Sequence, residues 1–102
     1  MEYICISKPR GIITPEVLST QIEMAKKIVE KPGDFVPGAK LIASYAAHNK
    51  CLLVFIWDAP SIDALCPTLV QLDLWGYDTD VMPAETVAAH METLEKALKS
   101  QK

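Results

Sequence analysis

Residues 51–57, CLLVFIW, followed by residues 61–77, SIDALCPTLVQLDLWGY, decide the architecture. The first run is apolar at every interior position, short, and rich in β-branched and aromatic residues, which reads as a buried strand. The second has apolar residues at helical spacing and ends at Trp75-Gly76, where glycine breaks the helix. Pro60-Ser61 opens it, and Pro67 predicts either a kink or a first helical turn after an irregular start. Tyr77 then begins another strand, expected over 77–82. A core strand, a short helix and an aromatic turn into a further strand make one βαβ unit.

A second unit lies upstream. Residues 2–7 read as a strand, ended by the breakers of Lys8-Pro9-Arg10-Gly11. Thr14-Pro15-Glu16 is a helix start: a capping hydroxyl, proline in the first turn and an acid near the positive end of the helix dipole. Val17, Leu18, Ile22, Ala25, Ile28 and Val29 predict its buried face, and Pro32-Gly33 its end. Residues 40–47 form the next strand, joined to 51–57 by the hairpin-length connection His48-Asn49-Lys50. Beyond the fourth strand, Pro83-Ala84-Glu85 is expected to start a last helix. Val87, Met91, Leu94 and Leu98 form its apolar stripe, with Lys96 and Lys99 near its C-terminal end.

The order β-α-β-β-α-β-α predicts an α+β protein: a ferredoxin-like βαββαβ sandwich with an extra C-terminal helix, as a single domain over residues 1–102. Its helices cover one sheet face. Yet Leu52, Val54 and Ile56 are as apolar as Leu53, Phe55 and Trp57, and the second strand sets Leu41, Ala43 and Tyr45 against Ile42, Ser44 and Ala46. A strand apolar on both sides is covered on both sides. A second copy packed sheet to sheet, as a homodimer or higher homo-oligomer, is the expected cover.

The chain is 50% hydrophobic with a net charge of −3, which argues against nucleic acid as the partner, because phosphate binding needs a basic face. No apolar run has the roughly 18 residues of a membrane span, so no membrane partner is expected. The opening MEYICIS lacks a basic leader, and Cys5, Cys51 and Cys66 are odd in number and widely spaced. That combination predicts reduced thiols, a cytoplasmic location and no structural metal.

Ser61, Ala64, Leu65, Thr68, Leu69, Gln71, Leu72, Leu74 and Tyr77 fall on a pattern resembling muconolactone isomerase, with Ile62, Asp63 and Trp75 close in type. The resemblance spans about residues 41–81 and includes His48. It implies a dimeric α/β barrel, isomerisation of a small lactone or unsaturated acid by proton transfer, and no metal or organic cofactor. The chain departs from it in residues 38–44, GAKLIAS, which lack the arginine that the resemblance implies, and in the helix beyond Pro83.

The candidate site residues follow. His48 titrates near neutrality and suits a proton shuttle, although a hairpin histidine is commonly just exposed. Asp78 and Asp80 share a strand face, so one becomes a candidate base if both are buried; exposed, they guard an edge. Tyr45, Trp57, Trp75 and Tyr77 are the candidate ligand-binding wall, against the plainer reading of core and interface packing. Lys8 and Arg10 could meet a carboxylate or stand as loop charges. Three functions remain open: a cofactor-free isomerase or related oxygenase, a non-catalytic small-molecule binder, and a structural oligomer with a filled core.

Overall fold

The computed structural model describes residues 1–47 and 51–101. Four strands, β1 (Glu2–Pro9), β2 (Lys40–Ala47), β3 (Leu52–Asp58) and β4 (Tyr77–Ala84), form one antiparallel sheet in the order β2-β3-β1-β4. The connections are α1 (Pro15–Glu30) with the single turn α2 (Pro32–Phe35), then a 3-10 turn (Ile62–Ala64) with α3 (Cys66–Leu74). This is the ferredoxin-like α+β arrangement, with α4 (Val87–Ser100) added behind β4. No helix among the described residues is long and apolar enough to cross a membrane.

The register sorts each strand by face. Tyr3, Cys5 and Ser7 of β1 stand beside Trp57, Phe55 and Leu53 of β3, and all six are buried beneath the helices. Met24 and Ile28 of α1, Val36, Leu65 and Leu72 of α3 close this core. Alternation sends Ile4, Ile6, Val54 and Ile56 to the other face, where none is fully buried.

Four boundaries or faces differ from the sequence expectation, each for a physical reason. In α1 the buried stripe is Gln21, Met24 and Ile28, whereas Leu18, Ile22 and Val29 are exposed. The helix carries two adjacent apolar stripes, and only one can face the sheet. In β2 a bulge between Leu41 and Ala43 breaks the strict alternation. Leu41 therefore joins the helix-side core, while Ala43 and Tyr45 lie on the open face opposite Ile56 and Val54. β1 continues past Ser7 to Pro9. β4 runs through Pro83 to Ala84, and α4 begins only at Val87, capped by the Thr86 hydroxyl. Proline is tolerated there because β4 is an edge strand, which can spare a ladder donor.

The Pro67 region takes the second of the two forms expected from sequence: an irregular 3-10 turn, then a helix with proline in its first turn. The Thr68 hydroxyl donates to the Phe35 carbonyl and ties α3 to α2.

Candidate functional site

The strand ends gather chemistry at one end of the sheet. Pro9 and Arg10 leave β1 there, Tyr77 and Asp78 begin β4, and Ala47 and Cys51 flank the β2–β3 connection. Gly76 makes the turn from α3 into β4 with φ +88°, a conformation that favours glycine. The Arg10 amide donates to the Gly76 carbonyl at 2.8 Å and fixes the two turns together.

Tyr77 lies at the centre. It is only 2% exposed and faces the helix side, next to Pro9 across the ladder. Its hydroxyl is enclosed and has no hydrogen-bond partner among the described residues. Burial pushes the phenol pKa upward, and the nearby Cys51 thiol adds to the shift. A buried donor without a partner costs free energy, so native proteins seldom keep one without a use for it.

Other buried polar groups surround this end of the core. Ser7 is fully buried, and its hydroxyl is 2.9 Å from that of Thr79 on β4. Gln21, on the buried stripe of α1, donates to the Cys51 carbonyl at 2.9 Å. Cys51 is half-buried with φ 51°, the single non-glycine residue with positive φ among those described. Neither Ser7 nor Gln21 stood out as chemistry in the sequence. Two signals would have found them: Tyr3-x-Cys5-x-Ser7 places a hydroxyl in a core row, and Gln21 sits at i−3 from Met24 and i−7 from Ile28.

Tyr77 also walls two depressions. One, about 290 Å³, lies between α1 and the end of α3 and is lined by Arg10, Val17, Thr20 and Trp75 among others. Trp75 is held edge-on to Phe35, with ring centroids 6.5 Å apart and planes at 68°. The other, about 740 Å³, runs over the start of β4 past Lys8, Asp73, Asp78 and Asp80.

The rim is electrostatically closed. Arg10 Nη1 contacts Asp73 at 2.6 Å and Asp78 at 3.1 Å, while its Nη2 donates to the Asp73 carbonyl at 2.6 Å. The Asp73 hydrogen bond is the foremost cause holding the guanidinium pKa above its usual value. One cation thus serves two carboxylates, which leaves little positive charge for an anionic ligand.

The remaining sequence candidates disperse. Trp57 is buried beside Tyr3 and Leu41 at the opposite end, six residues or about 20 Å along the sheet from Tyr77. Tyr45 is exposed on the open face. Asp78 and Asp80 are exposed on that same face, so the burial that would make one of them a base is not met. His90 pairs with Glu85 at 3.1 Å on α4. His48 lies outside the described residues. Among the described residues no cluster of three or more His, Cys, Asp or Glu side chains is placed to hold a metal.

No protein-family model and no curated protein matches the sequence. Solved structures are similar in fold. An antibiotic biosynthesis monooxygenase is similar with a TM-score of 0.55 and 17% identity, over 84% of this chain and all of that one. A protein from Agrobacterium tumefaciens is similar with a TM-score of 0.47 and 12% identity, over 85% of this chain and 96% of its own. This chain shares the ferredoxin-like α+β fold of the monooxygenase: a four-stranded antiparallel sheet with helices on one face.

Proposed function

We propose that this chain binds a small carbonyl-bearing molecule of the lactone or unsaturated-acid class at the Tyr77 end of its sheet. We further propose that it shifts a proton on that molecule without a metal or organic cofactor, in the manner of muconolactone isomerase. The observation that carries the reading is the enclosed, unpartnered Tyr77 hydroxyl beside Trp75. Such a donor suits a carbonyl oxygen on which charge develops, and it is worth most where water is excluded.

His48 supplies the acid–base group. Ala47 and Cys51, which flank its connection, lie at the Tyr77 end of the sheet. His48 removes a proton from the carbon conjugated with the carbonyl. The electron pair moves toward the carbonyl oxygen, where Tyr77 donates. The proton then returns to a different carbon, so the double bond shifts with no net redox change. With Arg10 engaged by Asp73 and Asp78, the rim favours a neutral lactone over a free carboxylate. A second copy over the open sheet face completes a dimeric α/β barrel, and the reading places the protein in the cytoplasm.

A second reading, a barrel that binds without catalysing, is favoured by one fact. The buried polar groups around Tyr77 are hydroxyls, an amide and a thiol, with no ion pair among them. Thermal shift against neutral lactones and unsaturated acids, followed by deuterium exchange at the carbon next to the carbonyl, tests both. Exchange that falls about 100-fold or more in His48→Ala supports the isomerase. Ligand stabilisation without exchange supports the binder, and oxygen consumption would redirect the reading toward the chemistry named for the monooxygenase relative. No stabilisation by any of these compounds overturns the site.

A further inference from the structure

The last helix buries none of its residues within its own chain. No residue of α4 is buried, and Val87, Met91, Leu94 and Leu98 present an exposed apolar stripe. The molecule is drawn out to 56 × 29 × 20 Å. A 14-residue amphipathic helix left alone in water is marginal, because helices gain most of their stability from packing.

A matching surface exists on α1. Its outward stripe is Leu18, Ile22 and Val29, exposed by 40%, 55% and 55%, with half-buried Ala25 between them. The two stripes share one spacing, four, three and four residues, as do helices packed along a heptad seam. Beside the α1 stripe, Ala25 and Val29 border an apolar groove with Ser44, Ala46 and Phe55 along the β2 side of the sheet. The groove gives an incoming helix a second wall.

Within its own chain α4 lies away from this groove, and none of its described residues lines it. β2 and β4 are opposite edges of the sheet, three strand spacings or about 14 Å apart. Only Glu85 and Thr86 separate β4 from α4, and α3 occupies the β4 side of the helix layer. The α4 that reaches this groove belongs to another molecule.

Interface size points the same way. Four strands of seven to eight residues offer an open face of about 19 by 25 Å, so two such faces bury about 950 Å². Stable interfaces begin near 1,200 Å². Each α4, about 21 Å long and 10 Å wide, adds about 420 Å² counting both sides of its contact. With two arms the total is about 1,800 Å², inside the range of durable dimers.

We propose that α4 is an exchanged arm, seated on the Leu18–Ile22–Ala25–Val29 stripe of a second copy of this chain and locking the dimer. The inference deepens the dimer of the proposed function and rests on it. Because the α4 stripe is exposed in its own chain, changing it leaves the monomer fold intact and isolates the effect.

The test uses full-length chains in a Cys51→Ser, Cys66→Ser background. One chain carries Ala25→Cys and a second, mass-tagged chain carries Leu94→Cys; they are mixed, allowed to exchange, and treated with a short bismaleimide. A cross-link between the two different chains, together with a dimer dissociation constant raised about 100-fold or more by Leu94→Asp, supports the arm. Circular dichroism confirms that the variants stay folded. Cross-linking of Leu94→Cys only to itself overturns the proposal in favour of paired α4 helices. If Val54→Asp on the open face dissociates the dimer and Leu94→Asp does not, the sheet dimer stands and the arm is refuted. If the unaltered chain sediments as a stable monomer, both are refuted.

Discussion

Replacing Tyr77 with phenylalanine should make this protein more stable, against the usual direction of a core substitution. The ring is 2% exposed and its packing is retained, because phenylalanine differs by one oxygen. In the ordinary case Tyr→Phe loses a hydrogen bond worth about 1 kcal/mol. Here no group among the described residues bonds the hydroxyl, so the substitution relieves a desolvation penalty of about 1 to 3 kcal/mol. A net gain of about 1 kcal/mol corresponds to a rise of about 0.5 M in the urea midpoint, at a slope of about 2 kcal/mol per M. Ser7→Ala is the control in the same polar row. It breaks the Ser7–Thr79 hydroxyl pair and should lower the midpoint by a comparable amount. The functional prediction runs opposite: Tyr77→Phe should lose most of the stabilisation conferred by a bound lactone. A clear fall in the Tyr77→Phe midpoint would show that the hydroxyl has a partner in solution. The reasoning that makes it a waiting donor would then fail.

Three further outcomes are expected. Burial pushes the Cys5 thiol up to about 11 from 9.0, so the folded state keeps a proton that the unfolded chain releases first. Its contribution is full below about pH 9 and lost as pH rises toward 11, by about 2 to 3 kcal/mol; Cys5→Ala should reduce the fall in urea midpoints across that window, leaving the part due to Tyr77, whose phenol is also raised. Leu65, 1% exposed at the start of α3, should cost about 2 to 5 kcal/mol on replacement by alanine, measured by the same unfolding curves. Arg10→Gln should lower the melting temperature slightly at low salt, with the difference vanishing at high salt, because all three partners of this exposed guanidinium lie at the surface.

The ferredoxin-like order was legible because each element carries its own signal. β2 starts at Lys40 and ends at Ala47, as its pattern predicts, and α1 starts behind the Thr14 cap. What escaped was choice between equivalents. On α1 the stripes through Met24–Ile28 and Ile22–Val29 are both apolar, and periodicity cannot say which one meets the sheet. Pro83 looked like a helix start because sequence alone does not reveal that β4 is an edge. The aromatic wall failed for a similar reason. Tyr45, Trp57, Trp75 and Tyr77 are neighbours in a list of strand ends, but register puts Trp57 at the far end and Tyr45 on the far face. The Tyr77 hydroxyl was visible only as a tyrosine, since nothing in a sequence shows whether a buried donor has found a partner.

The same distinction explains why the two uncovered surfaces carry different weight. An apolar open face on β1 and β3 requires a cover, and one chain has no further element to provide it except α4. α4 is itself uncovered, and so is the second stripe of α1. Three unpartnered apolar surfaces on a chain of 102 residues cannot all be incidental, for each would promote association in water. The proposed two-fold dimer would satisfy all three at once: the open face would meet its copy, and each α4 the other chain's α1. A small-molecule site at the Tyr77 end fits that assembly, because the helix-side core containing Tyr77, Ser7 and Gln21 remains within each copy. In the proposed assembly the sheet contact uses the face opposite Tyr77, and the arm meets the outward stripe of α1 rather than the core that holds the Tyr77 hydroxyl. Stability of the assembly and occupancy of the site should therefore be separable: Leu94→Asp should weaken the dimer while leaving the Tyr77→Phe effect on the urea midpoint unchanged. If the two variants instead prove non-additive by more than about 0.5 kcal/mol, the faces are coupled, and the site belongs to the dimer rather than to the chain.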